Sequence, residues 1–289
     1  MNTSEGATSL PARAAEPASP GRRRSAPSGG SEAHAVASVG APVSWPYPRW
    51  IAHRGAGKLA PENTLAAFQL GASHGYRMFE CDVKLSADGL PFLLHDDTLA
   101  RTTNGQGAAG GQPWKALATL DAGRWHSPTF AGERLPLLDS VARYCLYHGY
   151  YLNIEIKPTP GQESRTGRVV ANEAARLWSV ATKPAAPPLL TSFAPAALQA
   201  ALDSQPQLPR GLLLDALPDG WLDSAKALQC VAIICQHPLW NTETVAQAKQ
   251  AGFRLLSYTV NDEASVHRLT ALGTDGIITD RIDLFKPDR

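Results

Sequence analysis

R-L-L-S-Y-T-V-N-D-E-A-S-V-H-R-L-T-A-L-G-T-D-G-I-I-T (Arg254–Thr279) reads as one strand–helix–strand unit. Arg254–Val260 is a strand-like run, Asp262–Leu272 carries helical spacing, and Gly276–Thr279 is a second short apolar run. The same alternation extends backwards. Strand-like runs fall at Tyr151–Ile156, Leu189–Phe193, Gly211–Leu214 and Val231–Cys235. Helical runs at Gly167–Val180, Pro195–Ser204, Leu217–Ala227 and Asn241–Gly252 separate them. Repeated alternation of this kind argues for a parallel sheet with helices outside. With so many units, a closed (β/α)8 TIM barrel is expected over an open sheet, and the chain is long enough for one.

Towards the N-terminus the pattern becomes irregular. Ile51–His53, Met78–Leu85 and Pro91–Leu94 are short strands, and Pro61-Glu62-Asn63-Thr64 starts a helix that His74-Gly75 ends. That makes nine strand candidates, one more than the barrel needs. The link between Asp82 and Pro91 is also too short to hold a helix, and Ala87-Asp88-Gly89 marks a turn there. From Asp96 to Leu135 periodicity is lost among Gly, Thr and Pro, too long a stretch for an ordinary loop. The expected fold is therefore α/β, a (β/α)8 barrel over residues 46–289 that is irregular in its first third, with a functional excursion at about 96–135.

The first 45 residues are rich in Ala, Ser, Pro and Gly, with Arg22-Arg23-Arg24 among them. Such a segment buries too little apolar surface to offset chain entropy, and it lacks the apolar stretch of a secretory signal. It is expected to be a disordered tail. The net charge of +1 gives no sign of a nucleic-acid partner. No apolar run reaches the roughly 18 residues of a membrane span. Cys81, Cys145, Cys230 and Cys235 form no C-x-x-C pair and sit in apolar contexts. Reduced thiols in a cytoplasmic protein are the expectation.

The chemistry gathers at strand ends. Glu80 and Asp82 stand two apart on a strand, so both carboxylates face one way, with Cys81 turned into the opposite layer. Two such carboxylates repel unless a cation joins them, and oxygen ligands suit Mg2+ or Ca2+. Glu155 and Lys157 repeat the pattern in N-I-E-I-K-P. Glu155 would complete a three-carboxylate site, and Lys157 could hold a phosphoryl oxygen as a point charge. The alternative is a structural Glu–Lys pair. His53 and His95 each close a strand beside other ionisable residues. Phosphodiester cleavage needs a base for the attacking oxygen and an acid for the leaving alkoxide, and two imidazoles suit both tasks. Arg54 could grip non-bridging oxygens.

In order and spacing, H-R-G…P-E-N-T, E-x-D, H-D-x-T-L-x-R-T-T, N-I-E-I-K and the terminal G-x-x-T-D resemble the glycerophosphodiester phosphodiesterases. The resemblance runs from about Trp50 to Phe285. It implies an irregular TIM barrel with a small insertion after the third strand. It implies Glu80, Asp82 and Glu155 as ligands for Mg2+ or Ca2+, and His53 and His95 as an acid/base pair with the individual roles open. Arg54 and Lys157 would meet the phosphate, and Glu62 would lie near the metal. One departure is Tyr258 in Y-T-V-N, where many relatives carry Trp. It leaves an aromatic wall but opens the question of alcohol preference. The implied activity is metal-dependent hydrolysis of a small glycerophosphodiester to sn-glycerol 3-phosphate and an alcohol. A lyase stopping at a cyclic phosphate and a non-catalytic binding barrel are the rivals. The first would need a lipid-binding surface, the second the loss of a histidine or carboxylate that this chain retains.

Overall fold

The computed structural model describes residues 45–287. The tail expected over the first 45 residues therefore lies outside the described residues, save for Trp45. The strands are β1 (Trp50–Ala52), β2 (Met78–Leu85), β3 (Pro91–Leu93), β4 (Tyr151–Ile156), β5 (Leu189–Ser192), β6 (Arg210–Leu214), β7 (Ala232–Gln236), β8 (Arg254–Tyr258) and β9 (Gly276–Thr279). The helices are α1 (Leu65–Ser73), α2 (Trp114–Leu117), α3 (Leu138–His148), α4 (Glu163–Ser179), α5 (Pro195–Ser204), α6 (Trp221–Ala227), α7 (Thr242–Gln250) and α8 (Glu263–Leu272).

The sheet closes because β1 pairs in parallel with both β2 and β9. β1, β2 and β4 to β9 form a closed parallel barrel of eight strands. The surplus ninth candidate is β3, which runs antiparallel to β2 with Val83 opposite Leu93 and Leu85 opposite Pro91. It is a hairpin arm on the barrel, reached through the turn at Ser86–Gly89, and needs no crossover helix.

Alternation along each strand sorts the side chains into two layers. Phe79, Cys81, Val83, Leu152, Ile154 and Ile156 face outwards, into a core shared with Leu138, Val141, Ala142, Val170 and Ala174 of α3 and α4. Buried residues of α4 recur at helical spacing: Thr166, Gly167, Val170, Ala171, Ala174 and Leu177. A Cβ at Gly167 would fall 2.1 Å from the Ala197 carbonyl oxygen, so only glycine allows α4 and α5 to approach this closely. The inner layer changes character along its height. Met78, Leu189, Leu213, Ile234, Leu256 and Ile278 cluster with Tyr47, and Trp45 packs against them. Above them come the buried polar residues Glu80, Asp82, Asn153, Glu155 and Thr191.

Between β3 and α3 the chain makes two 3-10 turns (Ala109–Gly111 and Pro128–Phe130) and the one-turn α2. It has a small core of its own: Phe92, Leu94, Leu99, Ala109, Leu117, Ala122 and Leu135. The excursion is thus packed rather than loose.

Several element ends differ from the sequence reading. His53 lies in the turn after β1, its N–H bonded to the Thr279 carbonyl. The helix expected to start within Pro61–Thr64 begins at Leu65. Thr64 is its N-cap, accepting the Ala67 N–H at 3.3 Å. Asn63 has a left-handed backbone (φ +60°) and stays outside the helix. Phe193, Thr259 and Val260 fall beyond their strands. α4 starts earlier, at Glu163, and α6 later, at Trp221, after Pro218 and the left-handed Gly220 (φ +77°). No helix among the described residues is long and apolar enough to cross a membrane. All four cysteines are buried free thiols.

Candidate active site

Register builds the centre of the site. Glu80 pairs with Asn153 and Asp82 with Glu155 across β2 and β4. In-register neighbours on adjacent strands share a face about 4.8 Å apart. Glu80, Asp82 and Glu155 each offer a carboxylate oxygen within 4.8 Å of the other two, all three residues being buried. Glu80 Oε1 and Asp82 Oδ1 are buried and have no hydrogen-bond partner among the described residues. Orphaned acceptors of this kind are costly in a folded protein, more so when ionised.

The other oxygens are occupied. Glu80 Oε2 accepts the Arg54 backbone N–H at 3.0 Å. Asp82 Oδ2 accepts Asn63 Nδ2 at 2.8 Å, while the Asp82 N–H bonds back to Asn63 Oδ1 at 3.1 Å. The left-handed turn at Asn63 allows this paired contact. Lys157 Nζ donates to Glu155 Oε1 at 2.8 Å and stands 3.8 Å from Asp82 Oδ1. Arg54 Nε lies 3.1 Å from Asp82 Oδ2, and its Nη1 donates to Glu62 at 2.7 Å.

Burial and Asp82 push the Glu80 carboxyl up to about 8, against the pull of His53. Burial and Asp82 likewise raise Glu155, in spite of its bond to Lys157. Burial would raise Asp82 too, but Arg54, His95 and Lys157 together with the Asn63 hydrogen bond hold it below its ordinary value. One carboxylate of the group is thus ionised by its cationic neighbours, and the other two resist ionisation beside it.

The two histidines are each oriented by a carboxylate. His53 Nδ1 donates to Asp280 Oδ1 at 2.6 Å, leaving Nε2 turned towards the site, 3.8 Å from Glu80. Asp280 is itself held by Asn261, whose Nδ2 donates to Oδ2 and whose Oδ1 accepts the Asp280 N–H. Against burial, the Asp280 hydrogen bond and the Glu80 charge raise the His53 pKa. His95 Nδ1 donates to Asp96 Oδ1 at 2.7 Å. Burial lowers the His95 pKa, outweighing the Asp82 charge. Gly57, at φ +56°, brings the first loop against this pair: a Cβ there would sit 2.2 Å from Asp280 Cα.

Two connected hollows open here. A cavity of about 180 Å³ in the barrel mouth is lined by His53, Arg54, Glu80, His95, Lys157 and Tyr258, among others. A wider groove of about 580 Å³ begins at His95, Glu155, Lys157 and Phe193 and runs past Lys84 and Asp97. Tyr258 donates its hydroxyl to the Leu214 carbonyl at 3.0 Å and meets Phe193 edge-on, their centroids 5.8 Å apart.

The residues singled out from sequence therefore lie around one mouth, with one distinction. Glu62 is outside the carboxylate trio, and its oxygens bond to the guanidinium groups of Arg54 and Arg101. Sequence reasoning assigned no role to Asp280, Asp96, Asn63, Asn261 or Arg101. All but Asn261 stand inside the quoted H-D-x-T-L-x-R-T-T, P-E-N-T and G-x-x-T-D strings, and Asn261 ends Y-T-V-N. For Asp280 and Asp96 the available signal was an ionisable residue directly after a strand or beside a histidine; Asn63, Asn261 and Arg101 carried no such local signal.

A model of the Glycerophosphoryl diester phosphodiesterase family matches residues 53–284. A glycerophosphodiester phosphodiesterase of Caldanaerobacter subterraneus subsp. tengcongensis is 33% identical over 240 residues, covering 80% of this chain and 93% of that protein. A second, from Bacillus subtilis, is 30% identical over 250 residues, covering 81% and 84%. Among solved structures, an Oleispira antarctica phosphodiesterase in complex with the product sn-glycerol-3-phosphate superposes with a TM-score of 0.76 at 34% identity, covering 81% of this chain and 93% of that one.

Proposed function

The chain belongs to the glycerophosphoryl diester phosphodiesterase family and is a glycerophosphodiester phosphodiesterase; from that premise we propose that it cleaves its substrate with a divalent cation and two imidazoles, releasing sn-glycerol 3-phosphate. The observation that carries the metal is the pair of orphaned, buried oxygens on Glu80 and Asp82 beside Glu155. Three hard oxygen donors this close fit the coordination spheres of Mg2+ and of Ca2+. Glu80, Asp82 and Glu155 would hold the ion, which when bound polarises phosphoryl oxygens and acidifies a coordinated hydroxyl.

The protein's own groups do the rest. Lys157 and Arg54 bring positive charge to the phosphate. Arg54 is already oriented by Glu62 and Asp82, so it meets the substrate in a set geometry. His53 accepts on Nε2 the proton of the attacking oxygen. Where this is a water, sn-glycerol 3-phosphate forms directly; where it is the glycerol hydroxyl, a cyclic phosphate forms as the alcohol leaves and a water then opens it to sn-glycerol 3-phosphate. Asp280 keeps the Nδ1–H tautomer and strengthens the base. Of the two hollows, His53 lines the enclosed cavity, where a three-carbon glycerol unit fits. His95 stands where that cavity joins the open groove, on the side from which an alcohol departs. Burial disfavours its charged form in the free protein, so the imidazolium forms beside the anionic phosphodiester and donates its proton to the leaving oxygen.

The test is turnover of purified protein on a panel of glycerophosphodiesters, with chelator and then with Mg2+ or Ca2+ restored. Activity should vanish and return. Full activity in excess EDTA would overturn the metal reading.

A further inference from the structure

The imidazole of His95 is not held by the barrel. His95 follows the three-residue arm β3, its side chain is 31% exposed, and Asp96 is the only side chain hydrogen-bonded to it among the described residues. Asp96 is in turn gripped by Arg101, from the inserted segment. Arg101 Nε donates to Asp96 Oδ2 at 2.6 Å and Nη2 to Oδ1 at 2.9 Å. The other edge of the same guanidinium reaches the first barrel loop, where Nη1 and Nη2 each donate to a Glu62 oxygen at 2.8 Å. Glu62 also receives Arg54 Nη1. The bonds form one line: His95, Asp96, Arg101, Glu62, Arg54.

A planar fork can serve two carboxylates at once in fixed geometry, which a point charge cannot. The Arg101 side chain is 44% exposed, and ion pairs at such sites contribute little to stability. Their value lies in orientation. The backbone on either side is set independently: Thr103 bonds the Leu99 carbonyl, and Leu99 sits in the insertion's small core. We propose that Arg101 is a positioning residue for the reaction. It holds His95, through Asp96, in the register at which the imidazole can reach the leaving oxygen. This rests on the reading of His95 as the acid, and it gives the insertion a task in catalysis.

The experiment is a double-mutant cycle of Arg101→Met and His95→Ala in the full chain, read as kcat and KM on an alkyl glycerophosphodiester and on a p-nitrophenyl diester. Arg101→Met should lower kcat on the alkyl diester roughly tenfold to a hundredfold, the scale of a misplaced reacting group. KM and melting temperature should change little. In the His95→Ala background the same substitution should have no further effect. On the p-nitrophenyl diester, whose leaving group needs no proton, both losses should shrink together. Asp96→Asn should reproduce Arg101→Met, and Arg101→Lys should recover little, which keeps the test open if the methionine variant folds poorly. An equal loss in both backgrounds, or unchanged kcat in Arg101→Met, overturns the proposal while leaving His95 as the acid. Full activity of His95→Ala alone overturns the acid role, and the positioning role with it.

Discussion

The two parts of this barrel are built on different plans. From β4 to β9 the chain repeats strand and helix with short connections, and it supplies most of the apolar lumen and of the helical shell. From β1 to β3 and through the insertion it is irregular: a three-residue strand, an antiparallel arm, a loop with two left-handed non-glycine residues (Arg54 and Asn63), and a small separate core. Most of the proposed chemistry sits in the irregular part. His53, Arg54, Glu80, Asp82 and His95 come from it, and the regular part adds Glu155, Lys157, Tyr258 and Asp280. A parallel strand can aim only alternate residues into the mouth, one or two per strand end. Tight turns and an arm off the sheet place more functional groups per residue, and they need extra ties to stay in place. The bonds from Asn63, Asp96 and Arg101 are such ties.

The largest effect expected of this division is at the carboxylates, where both parts contribute. Asp82→Ala from the irregular part and Glu155→Ala from the regular part should each abolish chelator-sensitive activity while circular dichroism shows the fold retained. A variant that keeps its metal-stimulated rate would break the shared site. Next come the histidines, both from the irregular part. His53→Ala and His95→Ala should each lower kcat by at least about 100-fold, with metal affinity little changed. Only the His95 variant should recover on a p-nitrophenyl diester. Equal recovery of both would reverse or dissolve the assigned roles.

A matched pair of core truncations separates the parts more finely. Phe92→Ala in the insertion core should destabilise by about 3–5 kcal/mol, and Ile233→Ala behind β7 by about 2–5 kcal/mol. Measured where both remain folded, kcat should fall for Phe92→Ala and hold for Ile233→Ala. Equal kcat would mean the insertion core has no bearing on the site.

The pH dependence comes next. Burial and Asp82 raise Glu80 to about 8, so the metal-free fold retains a proton there that the unfolded chain gives up at lower pH. That contribution to stability is present in acid and is lost as pH rises towards 8. A cation needs the ionised carboxylate, so its affinity should rise with pH and level off above about 8. Thermal shifts with Mg2+ or Ca2+ at several pH values would reveal it, and a metal-induced shift that grows on acidification would contradict it. The smallest effect belongs to the regular part. Tyr258→Phe removes the bond to the Leu214 carbonyl, worth about 0.5–1.5 kcal/mol, and keeps the aromatic wall. KM should not move, and a large rise would give the hydroxyl a part in binding.

The regular part was legible because strand and helix periods differ and repeat. The barrel follows from Tyr151–Thr279 with strand ends misplaced by only a residue or two. The irregular part was legible as an anomaly: one strand too many and a link too short for a helix. Its geometry was not. Nothing local tells that β3 folds back on β2, since Pro91–Leu93 has the same apolar character as a barrel strand. Local pattern also placed Pro61–Asn63 in a helix. In the fold Asn63 leaves it because its side chain closes on Asp82, a contact 19 residues away.

By itself, then, the sequence determined which residue types end the strands and which face each takes, because alternation is a property of a single strand. It settled that Glu80 and Asp82 point together, that Cys81 does not, and that two imidazoles follow two strands. Tertiary structure decided the partners. The convergence of Glu155 with Asp82 depends on the register of β2 with β4. The pairing of His53 with Asp280 depends on β9 closing against β1 across 227 residues. The reach of Arg101 to Glu62 spans 39. Each is a distance between segments that no local period encodes. Only the assembled fold brings these charges within a few ångströms, and burial strengthens the interactions of those inside the barrel mouth.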